Sequence, residues 1–294
     1  MISSKNLNSI LLLTIYIYPM NASELILNPD GSVYHLSLLP DDIAHTIIFV
    51  GDQDRVPMVS KYFDHIECKK NKREFVTHTG RIGSKPISVI STGIGTDNID
   101  IVLNELDALV NINLETRTIK SILTSLNIIR IGTSGSIHPD VKTGDIVISA
   151  MAIGMDTLGA YYNAARVRHM LLPDWCYITK RFPFDLSKFS LEFTEGITLT
   201  CPGFYAPQGR SIRVKPDYQI AFDQLHTLKK DGYYISNMEM ETAGIYQLSS
   251  YLGHNAISFN AILAERLTGR FSNEPEVVID RLIKSTLDWV THLP

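Results

Sequence analysis

The chain has 294 residues, 45% of them hydrophobic and 20% charged, with a formal net charge of −4. That balance is typical of a globular protein with a core large enough to need no staples, and it excludes a general nucleic-acid or membrane surface. Cys68, Cys176 and Cys201 are scattered without CxxC spacing, which argues against a zinc ribbon or disulfide framework and fits a reducing, cytoplasmic setting.

At the N-terminus Lys5 precedes the apolar run Ile10–Tyr18, and Asn21-Ala22-Ser23 follows. Nine residues are too few to cross a bilayer. The run reads either as a signal-like core cleaved after Ala22 or, the preferred reading, as an extension ahead of a start at Met20. Residues 1–22 are therefore set aside, and residues 24–294, which contain no repeat or linker, are expected to form one domain.

Thr46–Val50, Arg73–Thr79 and Pro86–Thr92 read as strands from their β-branched, apolar content. Asp97 can cap a helix that carries Ile99, Val102, Leu103, Leu106 and Leu109 on one stripe. Asn127–Ile131, Asp145–Ser149, Ile197–Thr200 and Ala256–Leu263 are four more strands. Met240–Leu252 is a helix stopped by Gly253, and Pro275 opens another whose Ile279, Leu282, Ile283, Thr286 and Val290 face inward. No element is assigned to Met155–Arg181. Strands alternating with helices give an α/β fold, a three-layer sandwich around a central mixed, largely parallel sheet. Ligands of such sheets bind at the carboxyl ends of strands. The segments Gly51–Arg55, Thr92–Thr96, Gly132–Ser136 and Cys201–Arg210 are expected to be loops at those ends.

Five segments could carry chemistry. In Gly51-Asp52-Gln53-Asp54-Arg55, glycine permits close backbone approach and Arg55 offers a planar fork for a phosphate, unless it pairs with Asp52 or Asp54. Ser91-Thr92-Gly93-Ile94-Gly95-Thr96 is a small-residue turn into a helix that matches a dinucleotide fingerprint only weakly. Arg130 lies within a buried strand run, where it needs either a bound anion or an ion pair with a core Asp, and Thr133 and Ser134 add neutral donors. Phe204, Gln208 and Arg210 offer a ring to stack on a flat base and a donor–acceptor pair for its edge, or else form a surface turn around Pro207 and Gly209. Glu239, Met240 and Glu241 stand at a helix start, where carboxylates favour the dipole or grip vicinal hydroxyls.

Taken in order, Val33–Leu36 (VYHL), GDQDR, KREF, STGIG, IRIGTSG, KTGDIVIS, FYAPQGR and NMEMET resemble the nucleoside phosphorylase superfamily, most closely its uridine phosphorylase branch, over most of the chain. The resemblance implies phosphorolysis of a pyrimidine nucleoside, with Gly51, Arg55, Arg130 and Thr133 at the phosphate and Arg73 joining from a neighbouring subunit. It places Met240 and Glu241 at the ribose, with His35 from the neighbour, and Phe204, Gln208, Arg210 and the backbone at Glu239 around the base. Arg130, Arg210 and Glu241 are its catalytic candidates. A homo-oligomer, at least a dimer, is implied. No cofactor or metal is expected, inorganic phosphate being a co-substrate. A monovalent cation stays open, because Thr96-Asp97-Asn98 stands where bacterial relatives have Gly-Pro-Ser. Purine enzymes of the superfamily place an Asp near the last strand; Asn260–Arg266 has none, although Glu265 could take its part. A purine phosphorylase, a hydrolytic nucleosidase and a non-catalytic nucleoside-binding protein are the alternatives. On the main reading, Arg130→Ala removes turnover and leaves the fold intact.

Overall fold

The computed structural model describes residues 19–217 and 221–294, so the apolar run Ile10–Tyr18 lies outside the described residues. In chain order, β1 (Thr46–Val50) leads through α1 (Arg55–Ser60) to the meander β2 (His65–Lys72), β3 (Phe75–Ile82) and β4 (Lys85–Ser91). Then come α2 (Thr96–Asn111), a small hairpin of β5 (Ile112–Asn113) and β6 (Thr118–Ile119), and the long strands β7 (Asn127–Ser136) and β8 (Ile146–Gly154). A short α3 (Leu158–Tyr161), β9 (Tyr177–Lys180), β10 (Thr194–Thr200), α4 (Phe222–Leu225), β11 (Lys229–Lys230) and β12 (Tyr233–Glu239) follow. The chain ends with α5 (Thr242–Leu252), β13 (Asn255–Glu265), β14 (Arg270–Phe271) and α6 (Pro275–Thr291).

One sheet runs in the order β11-β12-β10-β8-β13-β7-β1-β4-β3-β2. Parallel pairing joins β4 to β1, β1 to β7, β7 to β13, β8 to β10 and β10 to β12. Antiparallel pairing joins β8 to β13 and brings β12 back onto β7. Five strands, β7, β13, β8, β10 and β12, thus close into a ring at one end of the sheet, while the β2–β4 meander stays open at the other.

Side chains alternating between the two faces of the sheet build the layers. Ile47 and Phe49 of β1 face a cluster formed with α2 and α5, including Leu103, Leu106, Ile245 and Leu248. Ile48 and Val50 face the opposite cluster, with Val56 of α1 and Leu282, Ile283 and Trp289 of α6. Helices on both faces of a mixed sheet give the three-layer α/β sandwich expected. The stripes expected on α2 and α6 are buried as anticipated.

Several boundaries differ from the sequence reading. Arg73 is not in a strand: it turns the β2–β3 hairpin at φ 56°, because the extended run breaks there. Asp97 does not cap α2; Gly95, at φ 95°, is the N-cap and Asp97 lies in the first turn. Gly132–Ser136 is not a loop but the far half of β7, held straight by pairing with β13 through Ser136. The helix expected from Met240 begins at Thr242. The unassigned stretch Met155–Arg181 holds α3 and β9, with Tyr177 donating to the buried carboxylate of Asp156 at 3.0 Å.

Phe259 is fully buried, stacks on Phe189 at 4.8 Å between ring centres and meets Trp289 edge-on at 5.4 Å. Phe259→Ala should cost about 3–5 kcal/mol in urea unfolding, against about 1 kcal/mol for Phe259→Leu, which leaves a smaller void.

Candidate active site

The carboxyl ends of β1, β7 and β12 converge on the N-terminus of α5, where a cavity of about 340 Å³ opens. It is lined by ten of the twelve candidate residues: Gly51, Arg55, Arg130, Thr133, Phe204, Gln208, Arg210, Glu239, Met240 and Glu241. His35 and Arg73 are not among the lining residues.

The floor is an ionic lattice. Arg130 Nη2 lies 2.6 Å from Glu241 Oε2 and 3.0 Å from Glu239 Oε2, and all three side chains are buried. Its Nη1 donates to Asn260 Oδ1 at 2.9 Å. The guanidinium folds back over its own strand at Gly132, where any Cβ would collide with it. Of the two readings left open for Arg130, the core ion pair is therefore realised, with glutamates in place of an Asp. Glu239 does more than offer its backbone. Its carboxylate accepts the N–H groups of Glu241 and Thr242 at 2.9 Å and the Thr200 hydroxyl at 2.6 Å. Thr200 Oγ1 in turn accepts the Ala243 N–H. The last residue of β12 and the last of β10 thus cap α5, satisfying donors that a helix start leaves unpaired. Glu241 Oε1 accepts the Gly95 N–H at 2.8 Å, tying the turn before α2 into the same lattice.

Charge matching sets the electrostatics. Burial alone would lower the pKa of Arg130, but Glu239 and Glu241 outweigh it and hold the guanidinium above its ordinary value. Two carboxylates share that cation, so burial and the neighbouring Glu239 push Glu241 up despite Arg130. Arg55, at the start of α1, takes the opposite shift: burial first, then the like charge of Arg130, lower it against the pull of Asp52 and Glu241. Among the described residues no carboxylate lies within 4.0 Å of its guanidinium, so the expected alternative of a pair with Asp52 or Asp54 is not formed.

At the other end, Arg210 stacks on the Phe204 ring at 3.7 Å and donates to Gln208 Oε1 and to the Phe204 carbonyl, each at 2.6 Å. Burial and the charge of Arg266 lower its pKa. Arg266, which the sequence reading did not assign to the site, donates from Nη2 to the Gln208 carbonyl at 3.2 Å. Ile94, Met238, Leu263 and Phe271 were also missed; they supply the apolar walls, and Ile94 and Phe271 are exposed at the mouth. Outside the cavity, His35 Nδ1 lies 2.6 Å from Glu105 Oε1, and the same carboxylate accepts the backbone N–H groups of His35 and Leu36. Arg73 at its hairpin tip accepts through its carbonyl from the Gln53 side chain at 3.1 Å.

The arrangement can hold an anion at Arg55, hydroxyls at Glu241 and a flat polar ring between Phe204 and Gln208. Arg130→Ala should also destabilise the fold, because it would leave two buried carboxylates without a counter-charge, a loss of about 3–5 kcal/mol.

Residues 45–285 match the model of a family described as the phosphorylase superfamily. A uridine phosphorylase of Thermococcus kodakarensis is 29% identical over 264 residues, covering 88% of each chain. A DeoD-type purine nucleoside phosphorylase of Bacillus thuringiensis is 26% identical over 257 residues, 86% of this chain and 97% of that one. Among solved structures, a Trypanosoma brucei nucleoside phosphorylase reported to have uridine phosphorylase activity superposes with a TM-score of 0.80 at 28% identity, over 92% of this chain and 100% of that one.

The excess carboxylate gives a pH prediction. Glu241 titrates above its unfolded value, so its bound proton favours the fold; that contribution is complete below the unfolded pKa and lost as pH rises through the folded one. Glu241→Gln lacks this loss. Its stability relative to the parent should rise with pH by on the order of 1 kcal/mol across the weakly acidic range, measured by urea unfolding. A difference independent of pH would contradict the assignment.

Proposed function

The chain belongs to the phosphorylase superfamily, and from that premise we propose that it splits a pyrimidine nucleoside with inorganic phosphate, releasing the base and ribose 1-phosphate. The observation that carries this reading is the meeting of Arg55, Arg130, Glu241, Gln208 and Arg210 in one cavity. Arg55 has donors free of protein carboxylates and would grip the phosphate, with Gly51 leaving room and Thr133 adding a neutral donor. Arg130, held by Glu239 and Glu241, fixes the floor beneath it. Glu241 would accept the ribose hydroxyls, with Met240 packed against the sugar.

The glycosidic bond breaks ahead of attack, so the sugar passes through an oxocarbenium-like state between two anions. The phosphate then bonds to C1′ as the base leaves with the electron pair. Gln208 and Arg210 would stabilise charge growing on the base, and Phe204 would stack on its face. No protein nucleophile is required; catalysis is positioning and electrostatic stabilisation. The reading needs no resident cofactor. Glu105 fixes the partly exposed His35 ring through Nδ1, and Arg73 sits at an exposed hairpin tip. Both features support a homo-oligomer, at least a dimer, in which these two complete a neighbour's site. A cytoplasmic location is part of the proposal; among the described residues no helix is long and apolar enough to cross a membrane.

Glu265 bears on the choice of base. As the stand-in for a purine-protonating acid it should line the cavity and hold a proton. Instead it accepts from the Thr143 N–H and hydroxyl at 3.2 and 3.3 Å and from Thr268 at 3.1 Å, and it is not among the lining residues. The Thr143 N–H first, then Thr268 and Arg270, lower its pKa despite burial. An ionised carboxylate turned to another loop favours the pyrimidine reading over the purine one, to which the Bacillus thuringiensis relative otherwise points.

The direct test is cleavage of uridine, thymidine and inosine with and without phosphate. Uridine loss that depends on phosphate and yields ribose 1-phosphate is expected; cleavage unaffected by phosphate would mark a hydrolase, and a preference for inosine a purine enzyme. Arg55→Ala should lower kcat/KM for phosphate by about a hundredfold, the worth of one or two charge-assisted hydrogen bonds. Its melting temperature should fall little, since the side chain has no carboxylate partner.

A further inference from the structure

Three helix starts meet behind the cavity: Thr96 opens α2, Leu158 opens α3 and Thr242 opens α5. Gly244, in the first turn of α5, marks the contact. A Cβ there would lie 2.9 Å from Thr96 Cγ2 and 3.5 Å from Leu158 Cδ2. Among these starts sits the buried side chain of Asp156, just past the end of β8. Its carboxylate accepts the Leu158 N–H at 2.8 Å, the Tyr177 hydroxyl at 3.0 Å and the hydroxyl of Thr96. Burial, the largest influence, raises the pKa of Asp156, and these donors oppose it. Tyr177 is itself wedged in place. Its ring lies over Gly154, its partner across the β8–β9 pair, and over Gly159 of α3, and a Cβ on either glycine would collide with it.

Asp156, Thr96 and Tyr177 are not among the residues that line the cavity. Thr96 is nevertheless one peptide away from its floor. The preceding Gly95 donates its N–H to Glu241 Oε1 at 2.8 Å, while Glu241 Oε2 meets Arg130. The last torsion of a glutamate is soft, so a single contact leaves the carboxylate free to turn about it. A second contact on the other oxygen sets its plane. Gly95 stands at φ 95°, where the backbone offers little resistance of its own, so the aim of its N–H depends on how Thr96 is anchored. We propose that Asp156 is a positioning residue for the sugar: through Thr96 it holds the Gly95 amide against Glu241 and so orients the carboxylate offered to the ribose hydroxyls. The proposal rests on the phosphorolysis read above, with Glu241 at the ribose. It gives the segment between β8 and β9 a part in the reaction without any contact with substrate.

The test compares the parent enzyme with Asp156→Asn, Thr96→Val, Thr96→Ser and the Asp156→Asn/Thr96→Val double variant, each checked for folding by circular dichroism. Substrates are uridine and 2′-deoxyuridine, which lacks one of the two hydroxyls. Asp156→Asn and Thr96→Val should each lose about tenfold in kcat/KM on uridine and clearly less on 2′-deoxyuridine, with KM for phosphate unchanged. Thr96→Ser, which keeps the hydroxyl, should stay close to the parent. The double variant should be no worse than the poorer single one, because both changes cut the same link. If Asp156→Asn does not fold, Thr96→Val, which exchanges one hydroxyl for a methyl, carries the test. Normal uridine turnover by Thr96→Val, equal losses on both nucleosides, a loss confined to KM for phosphate, or Thr96→Ser as impaired as Thr96→Val would each overturn the proposal while leaving phosphorolysis standing. A parent enzyme that does not split uridine with phosphate would overturn the underlying reading, and this one with it.

Discussion

The contact between Arg130 and the two carboxylates of Glu239 and Glu241 fixes most of what surrounds it. A buried charge is tolerated only with a partner and with its remaining donors filled. Meeting that demand draws together the middle of β7, the end of β12, the start of α5 and the turn at Gly95. The same carboxylate that balances the guanidinium also closes the open N-terminus of α5. One set of bonds therefore sets both the helix position and the local charge. Glu241 cannot move without uncovering Arg130, and only a glycine at position 132 leaves room for the guanidinium where it lies.

The two ends of the cavity are built differently. The floor comes from strand residues and side chains that are nearly inaccessible, a geometry held by pairing on both sides. The rim comes from loops and a short hairpin, with Phe204 half exposed and Ile94 and Phe271 more so. A rigid floor suits the part of a ligand where the chemistry is the same for every substrate. A looser rim suits the part that varies. Arg210 is already engaged with Gln208 and Phe204, which presents the pair as one preformed unit instead of two independent long side chains.

The layers were legible because the continuous apolar run of β1 and the helical apolar stripes of α2 and α6 match the burial found there. The ten residues that meet in the cavity were legible through ordered motifs, each weak alone. What sequence could not supply was pairing between distant segments. Nothing near Arg130 announces that its partners are Glu239 and Glu241, over a hundred residues away, or that Thr200 and Glu239, at the ends of other strands, cap α5. Burial of Gly132–Ser136 as strand was hidden by its small polar residues, which read as loop; they are the interior of a closed ring, where small and polar side chains fit. Arg73 was drawn into a strand by its neighbours because a positive φ at a non-glycine leaves no mark in composition.

The closure of that ring also governs when a binding site can exist. Its strands are drawn from β7 to β13, and the last to be synthesised, β13, lies between β7 and β8. Contacts of such long sequence separation form slowly, after local structure. A nascent chain lacking the segment up to Glu265 has the meander and α2 but no closed wall around the cavity, so it presents no competent pocket to capture substrate. Ligand recognition is thereby deferred to the finished fold.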